Sequence, residues 1–271
     1  MEINKENTHM RYFYLLFAIL SICCLFACEK GNDSAEAYER PVVEAYLIPG
    51  KAVLVKVYYQ KYLEDTISYG FPITGLKLKI SDGSKSVELT ESKAGNYVFE
   101  DTAFVADKKS YALSFEYNNK TISAQTTVPD KPDGFSSSAV EQYLPDFRID
   151  SPETFVPVTF NWNNPSSAYF VMVFKNIDKY PQQISGRFSI LYRDTEVMLG
   201  QVNTYETQRM QFNFLGNYRV LLFHVNKEYR DALNNNGGSS LNLTTPATNI
   251  VNGLGIFTAM QADTVSLHVY E

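Results

Sequence analysis

The sequence predicts an all-β protein: two β-sandwiches in tandem, carried behind a short leader and a polar tether. Three observations carry the prediction. Between Val42 and Val128, and again between Val158 and Val269, apolar and polar residues alternate with a period of two, the spacing of half-buried strands. The runs are short and are punctuated by glycine, proline, asparagine and aspartate pairs, with little helical periodicity. Between the two series lies Pro129-Asp130-Lys131-Pro132-Asp133-Gly134, where two prolines cannot donate backbone hydrogen bonds and so mark a stiff connector.

The elements follow in order. Tyr12 to Phe26 is an apolar run broken only by Ser21 and preceded by Lys5 and Arg11. It is short for a bilayer span, which needs roughly 20 apolar residues, and has the length and position of a signal-peptide core. Residues 1–27 are therefore read as a signal peptide. All three cysteines, Cys23, Cys24 and Cys28, fall within or beside it, so the remaining chain has no disulfide framework. Leu25-Phe26-Ala27-Cys28 resembles the bacterial lipobox, which makes Cys28 the lipid attachment point. Each buried CH₂ adds roughly 0.8 kcal/mol, so two or three acyl chains would hold the protein on a membrane. Residues 28–40 read as a lipidated, low-hydrophobicity tether. Its start, Cys28-Glu29-Lys30-Gly31-Asn32-Asp33, resembles the charged signal that sends Bacteroidetes lipoproteins to the outer face of the outer membrane.

Residues 41–130 read as an N-terminal Ig-like sandwich. Val42 to Leu47 and Ala52 to Tyr59 flank the turn pair Pro49-Gly50 and form a hairpin. Leu76 to Ile80 ends at the turn Ser81-Asp82-Gly83; Val87 to Leu89, Asn96 to Phe99 and Tyr111 to Tyr117 follow. Asn118-Asn119 suits a type I′ turn into Thr121 to Val128, because asparagine tolerates positive φ. Seven or eight short strands in this span fit the Ig-like pattern.

Residues 131–271 read as a second β domain with one short helix. Val158-Thr159-Phe160-Asn161-Trp162, then Asn163-Asn164-Pro165 and Tyr169 to Phe174, resemble strands B and C of a fibronectin type III module, with Trp162 in the core. Phe188 to Tyr192, Met210 to Phe214 and Tyr218 to His224 continue the strands. Asn226 to Leu233 is the helix candidate, with Asn226 placed as N-cap and Asn234 to Gly238 as its stop. Thr264 to Val269 closes the domain, and the glycines of Asn252-Gly253-Leu254-Gly255 permit a bend or bulge before it.

Composition narrows the function classes. The net charge is −6 and there is no basic block, which argues against a nucleic-acid partner. Beyond the leader only His224 and His268 remain, so a zinc site of His and Cys is not expected. No Gly-x-Ser-x-Gly elbow or phosphate-binding loop occurs. Glu141, Asp146, Asp150 and Glu153 crowd one segment with Pro145 and Pro152; such acids can gather around Ca²⁺ or serve a glycosidase, but the bland reading is a solvated loop. Tyrosine and phenylalanine number 19 and 18. Tyr62, Tyr69 and Phe71 lie in a loop after the first hairpin, where exposed rings can stack sugars or build an interface; they are the candidate contact surface. Asp33-Ser34-Ala35, Asp65-Thr66-Ile67, Asp101-Thr102-Ala103 and Asp263-Thr264-Val265 each resemble the Bacteroidetes O-glycosylation acceptor, with Ser34, Thr66, Thr102 and Thr264 as the sites.

Three segments carry a wider resemblance: Cys28-Glu29-Lys30, Pro41-Val42-Val43-Glu44-Ala45-Tyr46-Leu47, and Thr248-Asn249-Ile250-Val251-Asn252-Gly253-Leu254-Gly255-Ile256-Phe257. With them the chain resembles the DUF4249 family of Bacteroidetes lipoproteins, although Asn252-Gly253 stands where that family usually has paired glycines. The resemblance implies a neighbourhood of TonB-dependent receptors and supplies no catalytic residue or cofactor. The expectation is a non-enzymatic, surface-exposed outer-membrane lipoprotein beside a β-barrel receptor, its ligand open. A fimbrial or adhesin subunit is the alternative, and a glycan-active hydrolase the third.

Overall fold

The computed structural model describes residues 40–60, 70–145, 154–184, 192–234 and 247–271. Cys28 and Ser34 lie outside them. The first lobe contains β1 (Pro41–Leu47), β2 (Val53–Tyr59), β3 (Lys79–Ser81), β4 (Ser86–Glu88), β5 (Thr90–Lys93), β6 (Asn96–Phe99), β7 (Ser110–Tyr117) and β8 (Lys120–Thr127). The second contains β9 (Asp133–Ser137), β10 (Glu141–Tyr143), β11 (Thr159–Asn163), β12 (Tyr169–Asn176), β13 (Asp194–Gly200), β14 (Thr204–Glu206), β15 (Gly216–Val225) and the helix α1 (Lys227–Asn234), before the long β16 (Leu254–Tyr270). Among the described residues the protein is all-β apart from this short helix.

One sheet crosses both lobes, in the order β13-β12-β15-β16-β1-β2-β6-β5, with β10 joined to the end of β16. A four-stranded sheet, β4-β3-β7-β8, faces its first-lobe half, and β14-β11-β9 faces its second-lobe half. Each pair encloses its own core. In the first, Val43, Leu47 and Val55 meet Leu78, Ile80, Leu113 and Ile122, all at 1% exposure or less. Two buried tyrosines there keep their hydroxyls satisfied: Tyr97 donates to Ile73 O (2.8 Å) and accepts from Leu76 N (3.2 Å), while Tyr111 donates to Phe104 O and accepts from Ala106 N (both 2.8 Å). In the second core Phe160 lies between Phe135 and Phe174, and Trp162 packs on Phe170. Each such side chain contributes about 1.5–3 kcal/mol by leaving water.

Turns form as their residues dictate. Asn118 and Asn119 have φ of 47° and 59°, the two left-handed positions of the tight β7–β8 turn. Asp82 caps its own turn by accepting from Ser84 N (3.0 Å) and Lys85 N (2.8 Å).

Several expected elements differ. Leu76 to Ile80 supplies a strand only from Lys79, because Leu76 N is taken by the Tyr97 hydroxyl instead of a neighbouring strand. Met210 to Phe214 is not a strand: Gln211 N turns back to Gln208 O (3.0 Å), Phe212 plugs the core against Phe174 and Tyr218, and only Phe214 forms a bridge, to Gln183. Of Phe188 to Tyr192, only Tyr192 is described, and it is 76% exposed.

Strand pairing also runs across the expected division at residue 130. Leu254 to Ala259 run parallel to β1, with Val42 opposite Leu254 and Leu47 opposite Ala259, while Met260 to Val269 run antiparallel to β15. Ile250, Phe257 and Ala259 belong to the first core. The chain therefore returns to the first lobe and then crosses to the second within one strand of 17 residues, about 55 Å long at the usual rise. Gly255 makes the return possible. Its φ is +95°, and a Cβ on it would stand 2.0 Å from Val43 O.

Candidate functional site

Strand β12, Tyr169-Phe170-Val171-Met172-Val173-Phe174, is apolar on both faces. Phe170, Met172 and Phe174 enter the second core, which leaves Tyr169, Val171 and Val173 on the outer face. The register sets Val171 opposite Phe223 of β15, and Val225 opposite Met260 of β16. The outer face of a sheet is normally polar; here it is an apolar strip, and the first lobe reaches onto it. Ile48, in the β1–β2 turn, packs against this strip, and Tyr46 lies beside it. Between them and α1 lies a groove of about 290 Å³.

The helix is seated by hydrogen bonds to the first lobe. Glu228 accepts from Thr126 Oγ1 (2.7 Å) and from Thr258 Oγ1 (3.3 Å), and Thr126 Oγ1 also accepts from Ala259 N (3.1 Å). Asn226 stands at the cap position, its carbonyl accepting from Arg230 N (3.3 Å), while its side-chain amide donates to Thr127 O (2.8 Å). The capping residue thus ties the helix to β8. This geometry presents Tyr229 to the groove, edge-to-face with Tyr46 at 6.1 Å between ring centroids. Tyr229 donates to Glu196 Oε1 at 3.4 Å. Burial, then the negative charge of Glu196, pushes its phenol up to about 12. Among the described residues Glu196 is the only charged one in the groove lining. Arg230, the residue after Tyr229, lies 4.5 Å over the Tyr169 ring and is paired with Asp231.

Those sequence-predicted positions that are described lie elsewhere. Phe71 is 76% exposed, and its carbonyl accepts from Tyr59 N at 2.8 Å. Because Tyr59 pairs with Pro41, Phe71 sits at the end of the hairpin opposite Tyr46 and Ile48. Tyr62, Tyr69 and Thr66 lie outside the described residues, as do Asp146, Asp150 and Glu153; Glu141 is exposed on β10. Thr102 and Thr264 are both exposed. The carboxylate before Thr102 accepts from Ala103 N (2.9 Å), and the one before Thr264 accepts from Thr264 N (2.9 Å), local bonds typical of aspartate. His224 Nδ1 bonds Asp130 O at 2.8 Å and His268 Nδ1 bonds Asn217 Oδ1 at 3.0 Å. Among the described residues no three His, Cys, Asp or Glu side chains gather as metal ligands would.

A family model described as "Domain of unknown function (DUF4249)" matches residues 33–266. No curated protein matches the chain. Among solved structures, the chain is similar to one described as an anomalous substructure of Titin-A168169, at 12% identity, with 86% of this chain and 100% of that chain covered and a TM-score of 0.22. It is also similar to a chimeric titin Z1Z2 functionalized with a KLER exogenous peptide from decorin, at 9% identity, with 86% and 98% covered and a TM-score of 0.23. At these scores the description of the fold rests on strand order and register alone.

Proposed function

This chain belongs to the DUF4249 family, and we propose that it works as a non-catalytic binding lipoprotein, anchored through Cys28 to the bacterial outer membrane with its lobes outside the cell. In this reading it serves a β-barrel receptor of the TonB-dependent kind as an accessory. The observation that carries the reading is the apolar groove between the lobes. Ligand sites are concave and mostly apolar, and here a sheet's outer face, a turn and a helix combine to shape such a groove over the buried Val171, Val225 and Met260. The two described histidines also spend Nδ1 on neighbouring oxygens, a structural use. The leader and the Leu25-Phe26-Ala27-Cys28 sequence support the anchor.

The test is to pull down a C-terminally tagged protein from native outer membranes in mild detergent and to identify what is retained by mass spectrometry. A stoichiometric β-barrel receptor, lost from a Cys28→Ser strain, is the expected result. A ladder of self-multimers would overturn the reading in favour of a fimbrial subunit. Hydrolysis of a glycan by the purified protein would overturn its non-catalytic part.

A further inference from the structure

We propose that the groove between the lobes binds a small hydrophobic amine, its apolar body on Ile48, Val173 and Phe223 and its ammonium group at the Glu196 carboxylate, beside the Tyr46 and Tyr229 rings. The inference deepens the binding role just proposed and rests on it, but its test needs neither the membrane location nor the receptor.

Three features select this chemistry. The walls are aliphatic and aromatic, so an apolar body is favoured by roughly 25 cal/mol per Å² removed from water. The polar side chains of the lining are Tyr46, Tyr229 and Glu196, the last two joined through the Tyr229 hydroxyl, and among the described residues Glu196 is the sole charge. Among the described residues no lysine or arginine pairs with Glu196, whose hydrogen bond is the long one from Tyr229 (3.4 Å). A carboxylate beside aromatic faces attracts a cation through both charge and ring quadrupole. An anionic ligand would meet that carboxylate with repulsion, and a sugar would leave most of its hydroxyls against hydrocarbon without partners. The adjoining Tyr169 ring is an internal precedent, since the Arg230 guanidinium already lies over it at 4.5 Å. Arg230 does not compete for Glu196, because its charge is met by Asp231.

The experiment uses the full-length chain in detergent-free lipid nanodiscs, with methionine methyl groups labelled with ¹³C and Met260 assigned through Met260→Leu. Phenethylammonium, 2-phenylethanol and 3-phenylpropionate share a ring and an ethylene spacer and differ in charge. We expect a saturable shift of the Met260 methyl with phenethylammonium, on the order of five- to tenfold weaker binding of the alcohol, and none of the carboxylate. Glu196→Gln should bring the amine down to the level of the alcohol and leave the alcohol unchanged; Glu196 is exposed on β13, so this variant keeps the fold. Equal binding of all three probes, no saturable shift, or an amine affinity indifferent to Glu196→Gln would overturn the proposal. Tighter binding of an acetyl-Phe-Arg-amide peptide than of the amine would also overturn it, assigning the groove to a polypeptide. A groove that binds the amine while the pull-down finds no receptor would overturn the accessory role alone.

Discussion

Replacing Gly255 by alanine tests the shared strand at its tightest point. The residue sits at φ +95°, where a non-glycine side chain costs about 1–3 kcal/mol in backbone strain. The new Cβ would also stand 2.0 Å from Val43 O and 2.9 Å from Val43 N. These are backbone atoms of the paired strand, so no rotamer change relieves the contact and β1 must move away from β16. That movement loosens Val43, Phe257 and Ala259, all essentially unexposed, and even partial exposure of one such side chain costs about 1–2 kcal/mol. The total is about 2–5 kcal/mol. Gly75→Ala is the control: its φ of +73° imposes similar strain, but nothing lies within 4 Å of the added Cβ, so about 1–2 kcal/mol is expected. Urea unfolding should be followed by circular dichroism and by the fluorescence of Trp162, the chain's single tryptophan. Trp162 belongs to the second core and Gly255 pairs with the first lobe. Gly255→Ala should therefore lower both midpoints together, by about 1 M or more. Equal effects of the two glycine variants would refute the steric argument. A shift seen by circular dichroism but not by Trp162 would refute the coupling of the lobes.

Three further predictions follow from particular contacts. Thr126→Val removes the acceptor of Ala259 N and the donor to Glu228; leaving buried groups unsatisfied costs about 1–3 kcal/mol, seen as a lower thermal midpoint that Thr126→Ser restores. Phe160→Ala opens a cavity among Phe135, Phe174 and the rest of the second core and should cost about 3–5 kcal/mol, with Trp162 emission shifted to the red. The Asp178 carboxyl is held below its ordinary 3.8, chiefly by the side-chain hydrogen bond from Asn217 and then by the backbone one. A depressed folded value means that its stabilisation is complete above the unfolded value and is lost as pH falls through the folded one. The urea-midpoint difference between wild type and Asp178→Asn should thus be constant above about pH 5 and shrink below about pH 4; a difference that stays constant down to pH 2 would remove Asp178 from the account.

The repeated turn-and-strand grammar was legible because it is local. Pro49-Gly50, Ser81-Asp82-Gly83 and Asn118-Asn119 each state a backbone geometry within a few residues, and the strands around them alternate cleanly. Partners were harder to read. Period two says that Leu254 to Tyr270 is a strand but not that its halves serve different lobes. A signal did exist: Ile256 to Gln261 is buried at every position, and Ile256-Phe257-Thr258-Ala259-Met260 reads as a strand covered on both faces. Strand β12 carries the same signal in Tyr169 to Phe174, and it is this that marks the groove. The residues that complete the groove come from β1, β13, β15, β16 and α1, so no window of sequence contains it. Tyr62, Tyr69 and Phe71 stand out because aromatics cluster there in sequence, whereas Tyr46 and Tyr229 meet only in the fold.

Strand β16 also bears on the order in which the protein can assemble. Ribosomes deliver the chain from its N-terminus, so β1 to β8 exist long before residues 254–259 emerge. Until then β1 has an open flank, and the first core lacks Ile250, Phe257 and Ala259. The second lobe waits for the same strand, since β15 is flanked by β16 on one side. A chain arrested before Leu254 thus lacks an inner strand in both lobes at once and leaves two unpaired edges for proteases or chaperones to recognise. Completion of one strand thus closes the sheet in both lobes at once.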